Sequence, residues 1–270
     1  NSEEANKFNH QELKEVFDLC LSCKACASEC PSNVDIATLK AEFLYQYQET
    51  NGYSFRNKMF ANNAKYNKLG SKLPKITNFF TNSILAKKVL GVAVERSVPK
   101  LANETLESWL QKHQPKSSTK VVYLFKDEFT NYYDSEIGKD AVFLLEKLGY
   151  EVKNIAHDES GRSHISKGFL KEAKVICNNN VAIFKDIITD ETPLIGVEPS
   201  AILTFRDEYI RLADDKTSAE KIAKNTFTFE EFLAKEIEKG NIEISLFTAA
   251  KKDIKIHGHC RQKALSGTHS

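Results

Sequence analysis

The sequence predicts an α + α/β protein, in which a helical region precedes a parallel-sheet α/β region. Residues 1–110 carry apolar side chains at helical spacing, for example at positions 13, 16, 17 and 20. A polar stretch at 111–119, which contains Pro115, predicts a linker. From residue 120 onward, short apolar runs alternate with helical patterns. That alternation is typical of a parallel sheet covered by helices.

Each predicted element has its own signal. Asp35 precedes an apolar repeat over 36–47 and predicts a capped helix. The predicted strands are the apolar runs at 121–125, 150–155, 193–197 and 254–256. The predicted helices beyond the linker cover about 135–148, 166–188, 200–212, 217–224 and 229–239. Ligands of such sheets bind at the carboxyl ends of the strands, which directs attention to the loops at 126–134, 157–166, 198–200 and 257–262.

The composition is that of a globular chain, with 41% hydrophobic and 28% charged residues among 270. The formal net charge of +1 gives no global electrostatic reason to expect nucleic acid or an anionic membrane as a partner. No stretch approaches the roughly 20 apolar residues of a spanning helix, and the N-terminus lacks a signal-peptide core. We therefore expect a cytoplasmic protein. Peripheral association with the inner face of the membrane is expected, at most, of a larger parent protein.

Four of the six cysteines lie close together as Cys20-x2-Cys23-x2-Cys26-x3-Cys30-Pro31. In two-cluster ferredoxins, three cysteines of such a run hold one iron–sulfur cluster and the fourth ligates the other. The spacing therefore assigns Cys20, Cys23 and Cys26 to one [4Fe–4S] cluster and Cys30 to a second. Because neither set of ligands is complete, we expect the clusters to be absent or incomplete in these 270 residues. The alternatives are a zinc site with all four thiolates, or incidental thiols.

The segment Cys20 to Leu44 resembles the iron–sulfur region of bacterial FAD-linked oxidases of the D-2-hydroxyacid dehydrogenase type. That family includes D-2-hydroxyglutarate and D-lactate dehydrogenases, and related iron–sulfur subunits occur in glycolate oxidase and anaerobic glycerol-3-phosphate dehydrogenase. The resemblance continues in order through three further motifs and so covers most of the chain. They are Ser160-Gly-Arg-Ser-His-Ile-Ser-Lys-Gly168, Glu198-Pro-Ser200 with Arg206-Asp-Glu-Tyr209, and His257-Gly-His-Cys260.

The resemblance implies a domain order. Residues 1–110 would be a half-ferredoxin iron–sulfur domain, 111–119 a linker, 120–253 a Rossmann-like domain of the cysteine-rich CCG type, and 254–270 the start of a second, truncated CCG copy. FAD would lie on an upstream domain of the same polypeptide. The chain begins at Asn1 with Met59 as its only methionine, so we expect a piece of a longer protein.

The implied function is electron transfer from flavin through [4Fe–4S] clusters in an enzyme that oxidises a 2-hydroxy acid, with no catalysis by these residues alone. The expected partners are the upstream FAD domain and the second CCG domain of the same polypeptide, and no nucleic acid. A non-catalytic scaffold, with a zinc-bound or vacant cysteine site, is the alternative from a different functional class.

The CCG spacing falls on residues that are not cysteines. The CCG pattern consists of one cysteine, then a Cys-Cys pair, then Cys-x2-Cys. Laid on this chain, the first cysteine position falls near Asp127, the pair near Glu159 and Ser160, and the last two near Glu198 and Ala201. We therefore expect this copy to keep the fold and to have lost its thiolate cluster site. Cys260 would match the first cysteine of the next copy.

Several weaker candidates remain, each with a structural alternative. Arg162, Ser163 and Lys167 form a candidate anion site at a helix start, where the alternative is that Ser163 or Ser166 caps the helix. His257, His259 and Cys260 are candidate metal ligands.

Asp127, His157, Glu159 and Glu198 could bind a hard cation or act as acid and base, or they cap helices. Cys177 is expected in the core. The lysines of 56–72 and 87–100 form a solvated face or a docking face for the flavin domain.

Overall fold

The computed structural model describes residues 6–267. It contains a helical region followed by an α/β unit, so the mixed fold class and the parallel sheet are confirmed. Predictions that fall on residues 1–5 and 268–270 lie outside the described residues. Among the described residues, no helix is both long and apolar enough to cross a membrane.

From residue 6 onward the helical region contains eight helices, and local capping sets several of their starts. Asp35 accepts a hydrogen bond from the Thr38 N–H and starts α3. Ser54, Ser83 and Thr105 cap α4, α7 and α8 in the same way. The bounds are α1 Gln11–Asp18, α2 Ala25–Glu29, α3 Ile36–Asn51, α4 Phe55–Ala61, α5 Asn63–Gly70, α6 Pro74–Thr81, α7 Ile84–Leu90 and α8 Leu106–Leu110.

The α/β unit is built on a four-stranded parallel sheet in the order β2-β1-β3-β4. The strands are β1 Lys120–Phe125, β2 Tyr150–Lys153, β3 Leu194–Gly196 and β4 Thr226–Thr228. The helices are α9 Glu128–Tyr132, α10 Ser135–Lys147, α11 Arg162–Ser166, α12 Leu170–Phe184, α13 Pro199–Ile202, α14 Glu208–Leu212, α15 Lys216–Lys224, α16 Phe229–Glu238 and α17 Cys260–Leu265. A single 3₁₀ turn covers Ile244–Leu246.

Two apolar clusters cover the two faces of the sheet. One packs Phe125 against Phe184, Phe205 and Tyr209. Cys177 lies in this cluster, fully buried, as its helical position predicts. The other cluster joins the opposite side of the sheet to helices α8, α10 and α16, through side chains such as Leu106, Val142 and Phe232. The sheet is thus buried on both faces, as all-parallel sheets are.

Four details differ from the sequence-based prediction. The helix predicted at 166–188 is interrupted, because Gly168 adopts a left-handed φ of 72° between α11 and α12. The helix predicted at 200–212 is two short helices, α13 and α14. Strand β4 was not predicted, since it has only three residues and Thr228 also caps α16. The strand predicted at 254–256 is wrong: the segment has no regular secondary structure, is exposed, and pairs with no described strand.

Helix α3 and the start of α12 hold the helical region against the α/β unit. The Gln48 side-chain amide donates to the Lys167 carbonyl at 2.8 Å, although Gln48 is only 3% exposed. The rings of Tyr53 and Phe169 pack with centroids 4.5 Å apart. This contact brings the cysteine loop, which immediately precedes α3, to the carboxyl edge of the sheet.

Candidate functional site

The four clustered cysteines lie between α1 and α3, half-buried and with free thiols. Cys20 and Cys23 are on a loop, Cys26 is in α2, and Cys30 directly follows α2. Helix α2 has only five residues, and Pro31 after Cys30 prevents its continuation. The motif therefore presents four separate thiols on a short, curved stretch of chain.

Backbone N–H groups point at two of the sulfur atoms. Ser22 has a left-handed φ of 55°, and its N–H donates to Cys20 Sγ at 3.4 Å. Hydrogen bonds from the backbone N–H groups of Val34 and Ser32 lower the pKa of the Cys30 thiol. Such hydrogen bonds favour the thiolate, which is the form that binds metal.

The donors fit an iron–sulfur cluster in kind, since these clusters are held by Cys thiolates and tuned by hydrogen bonds to sulfur. The four thiols do not converge on one point. Within residues 6–267, no three His, Cys, Asp or Glu side chains are arranged to hold a metal ion. The cysteine loop, which lies within these residues, therefore shows no preformed metal site, either for all four cysteines or for the three assigned to one cluster.

An ion network with a buried centre anchors this loop to the α/β unit. It consists of Lys24, Asp35, Arg162, Asp207, Glu208, Arg211 and Arg261. Lys24, which lies between Cys23 and Cys26, is only 2% exposed. Its Nζ contacts Asp35 at 2.7 Å and also contacts Asp207. The cysteine loop, the α/β unit and the C-terminal helix thus share one set of charges.

Glu208 is at the centre of the network. It accepts hydrogen bonds from Arg162 Nη1 and Arg261 Nη2, both at 2.5 Å. Burial alone would raise the pKa of Glu208, but the two arginine charges outweigh burial and hold its pKa well below the usual range. Lys24, Glu208 and Arg261 were missed at the sequence level, because nothing local marks partners this far apart in the chain.

A cavity of about 250 Å³ lies between the cysteine loop and the carboxyl edge of the sheet. Cys23 lines one side of it, and His259, Cys260 and Arg261 line the other. His259 caps α17 by accepting from the Arg261 N–H, so its Nδ1 already has a partner. Of the three predicted C-terminal metal ligands, the structure brings His259 and Cys260 to this cavity. His257 is exposed and lies outside its lining.

The three residues of the predicted anion site do not face one space. Arg162 is 8% exposed and is bonded to Glu208 beside the Cys23 cavity. Ser163 is buried in α11, and the cap position of that helix is Gly161, which makes no side-chain cap. Lys167 lines a different cavity, against helices α1, α3 and α4. The turn at Gly168 separates Lys167 from Arg162.

The positions where the CCG pattern would place thiols do meet at the edge of the sheet, as acids and a serine. Asp127 is 1% exposed and caps α9 by accepting from the N–H groups of Phe129 and Thr130. Glu128 accepts from both the N–H and the hydroxyl of Ser160. Glu198 caps α13. The helix-capping alternative thus describes Asp127 and Glu198, although Asp127 is buried rather than solvated.

Burial controls the protonation of these groups. It raises the pKa of Asp127 to about 8, and the charges of Glu128 and Glu198 act in the same direction. Burial and the Glu128 charge raise the pKa of Glu159 to about 8. Burial lowers the pKa of His157 to about 4, and the His157 ring stacks on Phe125. Asp127 and Glu159 therefore titrate near neutral pH, whereas His157 is neutral there.

The raised pKa values predict that the chain becomes less stable as the pH rises. Asp127 and Glu159 bind protons more tightly in the folded state than in the unfolded chain, so unfolding between about pH 4 and pH 8 releases protons. We expect the urea midpoint to fall from about pH 5 to about pH 8. The double substitution Asp127→Asn with Glu159→Gln should flatten this fall, whereas Glu136→Gln, which changes an exposed carboxylate, should leave it intact. An equal slope in all three proteins would contradict the assignment.

We expect the Cys30 thiol to react faster than the Cys177 thiol in the native chain. Thiolate is the nucleophile, and the Cys30 thiol has a lowered pKa, whereas burial raises the pKa of the Cys177 thiol to about 12. Brief treatment of the native chain with iodoacetamide, read by peptide mass spectrometry, should label Cys30 well before Cys177. Unfolding in guanidinium should remove the difference. Equal labelling of the two residues in the native chain would show that the Cys177 pocket opens.

Sequence comparison shows which known proteins the chain is similar to. Over 99% of its length the chain is 30% identical to D-2-hydroxyglutarate dehydrogenase of Escherichia coli. It is 28% identical, over 91% of its length, to the same enzyme of Haemophilus influenzae. The chain is a homologue of one segment of the D-2-hydroxyglutarate dehydrogenases. The resemblance indicated by the cysteine, SGRSH and HGHC motifs is thereby confirmed.

The homologous segment is a minor part of these dehydrogenases. The chain spans about a quarter of their length, 27% of the Escherichia coli protein and 25% of the Haemophilus influenzae protein. Over 66% of its length it is also 24% identical to one of the subunits of the anaerobic glycerol-3-phosphate dehydrogenase of Escherichia coli, and it covers 47% of that relative. No family model matches the chain, and no solved structure matches it significantly.

Proposed function

We propose that the chain is the electron-transfer segment of an FAD-linked oxidoreductase that oxidises a 2-hydroxy acid. The observation that carries the proposal is the cysteine loop, with its C-x2-C-x2-C-x3-C-P spacing and its N–H to sulfur hydrogen bonds. Homology to D-2-hydroxyglutarate dehydrogenases supports the substrate class, and homology to part of a glycerol-3-phosphate dehydrogenase supports a redox role. The acids at the CCG positions lie outside the electron path.

In this proposal, Cys20, Cys23 and Cys26 hold one [4Fe–4S] cluster and Cys30 contributes to a second. The clusters supply one-electron transfer when bound. The chain contributes thiolates, hydrogen bonds to sulfur, and the positive charge of Lys24 immediately beside the ligands. The remaining ligands and the flavin would come from other parts of the same polypeptide, consistent with relatives about four times as long as this chain.

A metal and sulfide assay tests this proposal. After anaerobic reconstitution with iron and sulfide, we expect the 270-residue chain to hold less than one cluster, because the fourth ligand is missing. Excess 2-mercaptoethanol, a thiol that can occupy the open position, should raise the iron and sulfide content and the visible absorbance. Cys23→Ser should abolish this gain, whereas Cys177→Ser, a substitution in the core, should not. A colourless chain with one bound zinc and no sulfide would favour the scaffold alternative.

We further propose that one surface of the helical region docks the flavin-bearing part of the polypeptide. Residues 56–100 contain ten lysines and arginines and a single acidic residue, Glu95. Helices α6 and α7 expose large apolar side chains on the same stretch, including Phe79 at 76% and Leu85 at 74%. An exposed apolar patch of this kind marks an interaction site, and its charge favours an acidic partner surface.

Substitution on this surface should weaken the contact. With the separately produced flavin-bearing part of the parent immobilised, we expect Phe79→Ser together with Leu85→Ser to reduce binding of the chain at least tenfold. Val175→Ser, at an exposed apolar position on α12 (60%), is the control. Equal binding by both variants, or association of the chain only with itself, would overturn the docking proposal and leave the cluster assignment unaffected.

A further inference from the structure

A cavity of about 540 Å³ separates helices α1, α3 and α4 from the turn at the end of α11. Its wall includes Lys40 from α3, Arg56 from α4 and Lys167 from the turn. The volume falls in the range of small-molecule sites. The cavity is distinct from the one beside Cys23, and the proposed electron transfer gives it no role.

Three cations are held together at this cavity. The Arg56 guanidinium and the Lys167 ammonium both lie over the ring of Phe60, at 5.6 Å and 5.5 Å from its centroid. Burial lowers the pKa of Lys167, and the charges of Arg56 and Lys40 lower it further. Like charges in this arrangement repel, and the repulsion grows as the local dielectric falls.

The described part of the chain provides no carboxylate that pairs directly with these cations, although the charge of Asp18 partly offsets the repulsion at Lys167. Within residues 6–267, no Asp or Glu lies within salt-bridge distance of Lys40, Arg56 or Lys167. Asp18 is the one acidic residue that lines the cavity, and its carboxylate is bonded to Lys14 at 2.6 Å. In the network around Glu208, by contrast, each basic residue contacts a carboxylate.

Neutral contacts fix the cations in place. Lys40 Nζ donates to the Cys20 carbonyl at 2.5 Å, and Arg56 Nε donates to the Leu90 carbonyl at 3.1 Å. The backbone of Lys167 is fixed by the hydrogen bond from Gln48 to its carbonyl. Each cation keeps further N–H groups available. The positions of the cations are therefore set before any anion binds.

We propose that this cavity binds a small multivalent oxyanion, either a phosphate or a dicarboxylate. Arg56 suits bidentate contact with the planar or tetrahedral oxygen set of either anion, and Lys40 and Lys167 add point charges. Occupation would neutralise the repulsion among the three cations. Because Lys40 also bonds to the Cys20 carbonyl, the bound anion contacts the residue that fixes the start of the cysteine loop.

The test is titration of the cluster-free 270-residue chain with inorganic phosphate and with glutarate in a chloride buffer, followed by calorimetry. We expect saturable binding of at least one anion, weakened roughly tenfold by Arg56→Gln and by Lys167→Gln. Lys171→Gln, which removes an exposed cation paired with Glu49, is the control and should bind normally. Stronger binding of glutarate than of phosphate identifies a dicarboxylate site, and the reverse order identifies a phosphate site.

A second measurement does not depend on the choice of anion. Without any anion, Lys167→Gln should leave the chain as stable as the parent or make it more stable, since it relieves repulsion. Added anion should then raise the melting temperature of the parent more than that of the variant. Absence of saturable binding, or equal binding by Arg56→Gln, Lys171→Gln and the parent, would overturn the proposal.

Discussion

Replacing Glu208 with glutamine should destabilise the protein by about 3 kcal/mol, as expected when one partner of a buried ion pair is removed. Glu208 is 5% exposed and accepts hydrogen bonds from two buried arginines, Arg162 and Arg261. The network has four basic and three acidic residues, and the substitution would leave four against two. Glutamine keeps the shape and one acceptor oxygen, so the loss would be electrostatic rather than steric.

Urea unfolding at neutral pH measures this effect, with Glu104→Gln as the matched control. Glu104 also pairs with two lysines, Lys112 at 2.8 Å and Lys139 at 3.1 Å, but its side chain is 33% exposed. Exposed ion pairs contribute little to stability, so the control should change the midpoint far less. Similar midpoints for the two variants would mean that water reaches the Glu208 network.

The same substitution should loosen the cysteine loop. Lys24 Nζ lies 3.7 Å from Glu208 and contacts Asp207, so its position depends on the charge balance of the network. Hydrogen exchange in the segment 20–30 should therefore increase in Glu208→Gln and not in Glu104→Gln. This contact gives the α/β unit a physical way to influence the cysteine loop.

The sequence predicted the parts of the fold that have strong local signals. β1 and α10 follow from an uninterrupted apolar run and an apolar helical repeat, and the structure places both within a residue of the prediction. β4 escaped prediction because three residues, two of them threonine, carry no periodicity. The exposed segment at 254–256 shows the reverse error. Alternating isoleucines predict a strand, but a strand also needs a partner.

The candidate site was predictable where its geometry follows from topology. The CCG register put Asp127, Ser160 and Glu198 at the carboxyl edge of the sheet, and parallel strands bring those loops together. The chemistry there was harder to predict. The sequence does not distinguish carboxylates that are solvated or cap helices from buried carboxylates with pKa values of about 8, as at Asp127 and Glu159. Burial depends on packing from distant elements, which no local pattern records.

Gly168→Ala should also cost about 3 kcal/mol, combining a left-handed backbone penalty with overpacking. The backbone at Gly168 has φ of 72°, and an added Cβ would lie 2.7 Å from Leu44 Cβ and 2.8 Å from the Tyr45 nitrogen. Both atoms belong to α3, so relief would require α3 to move away from the α/β unit. The Gln48 to Lys167 hydrogen bond crosses the same contact and should weaken with it.

Gly240→Ala separates the two contributions. Gly240 has nearly the same φ, 74°, but an added Cβ there would meet nothing within 4 Å. The control should therefore show the backbone penalty alone, roughly 1 kcal/mol, and the difference in urea midpoint reports the close approach of α3. Equal destabilisation by the two substitutions would mean that α3 yields easily. In that case the contact would not hold the cysteine loop, and the loop would depend on the Glu208 network alone.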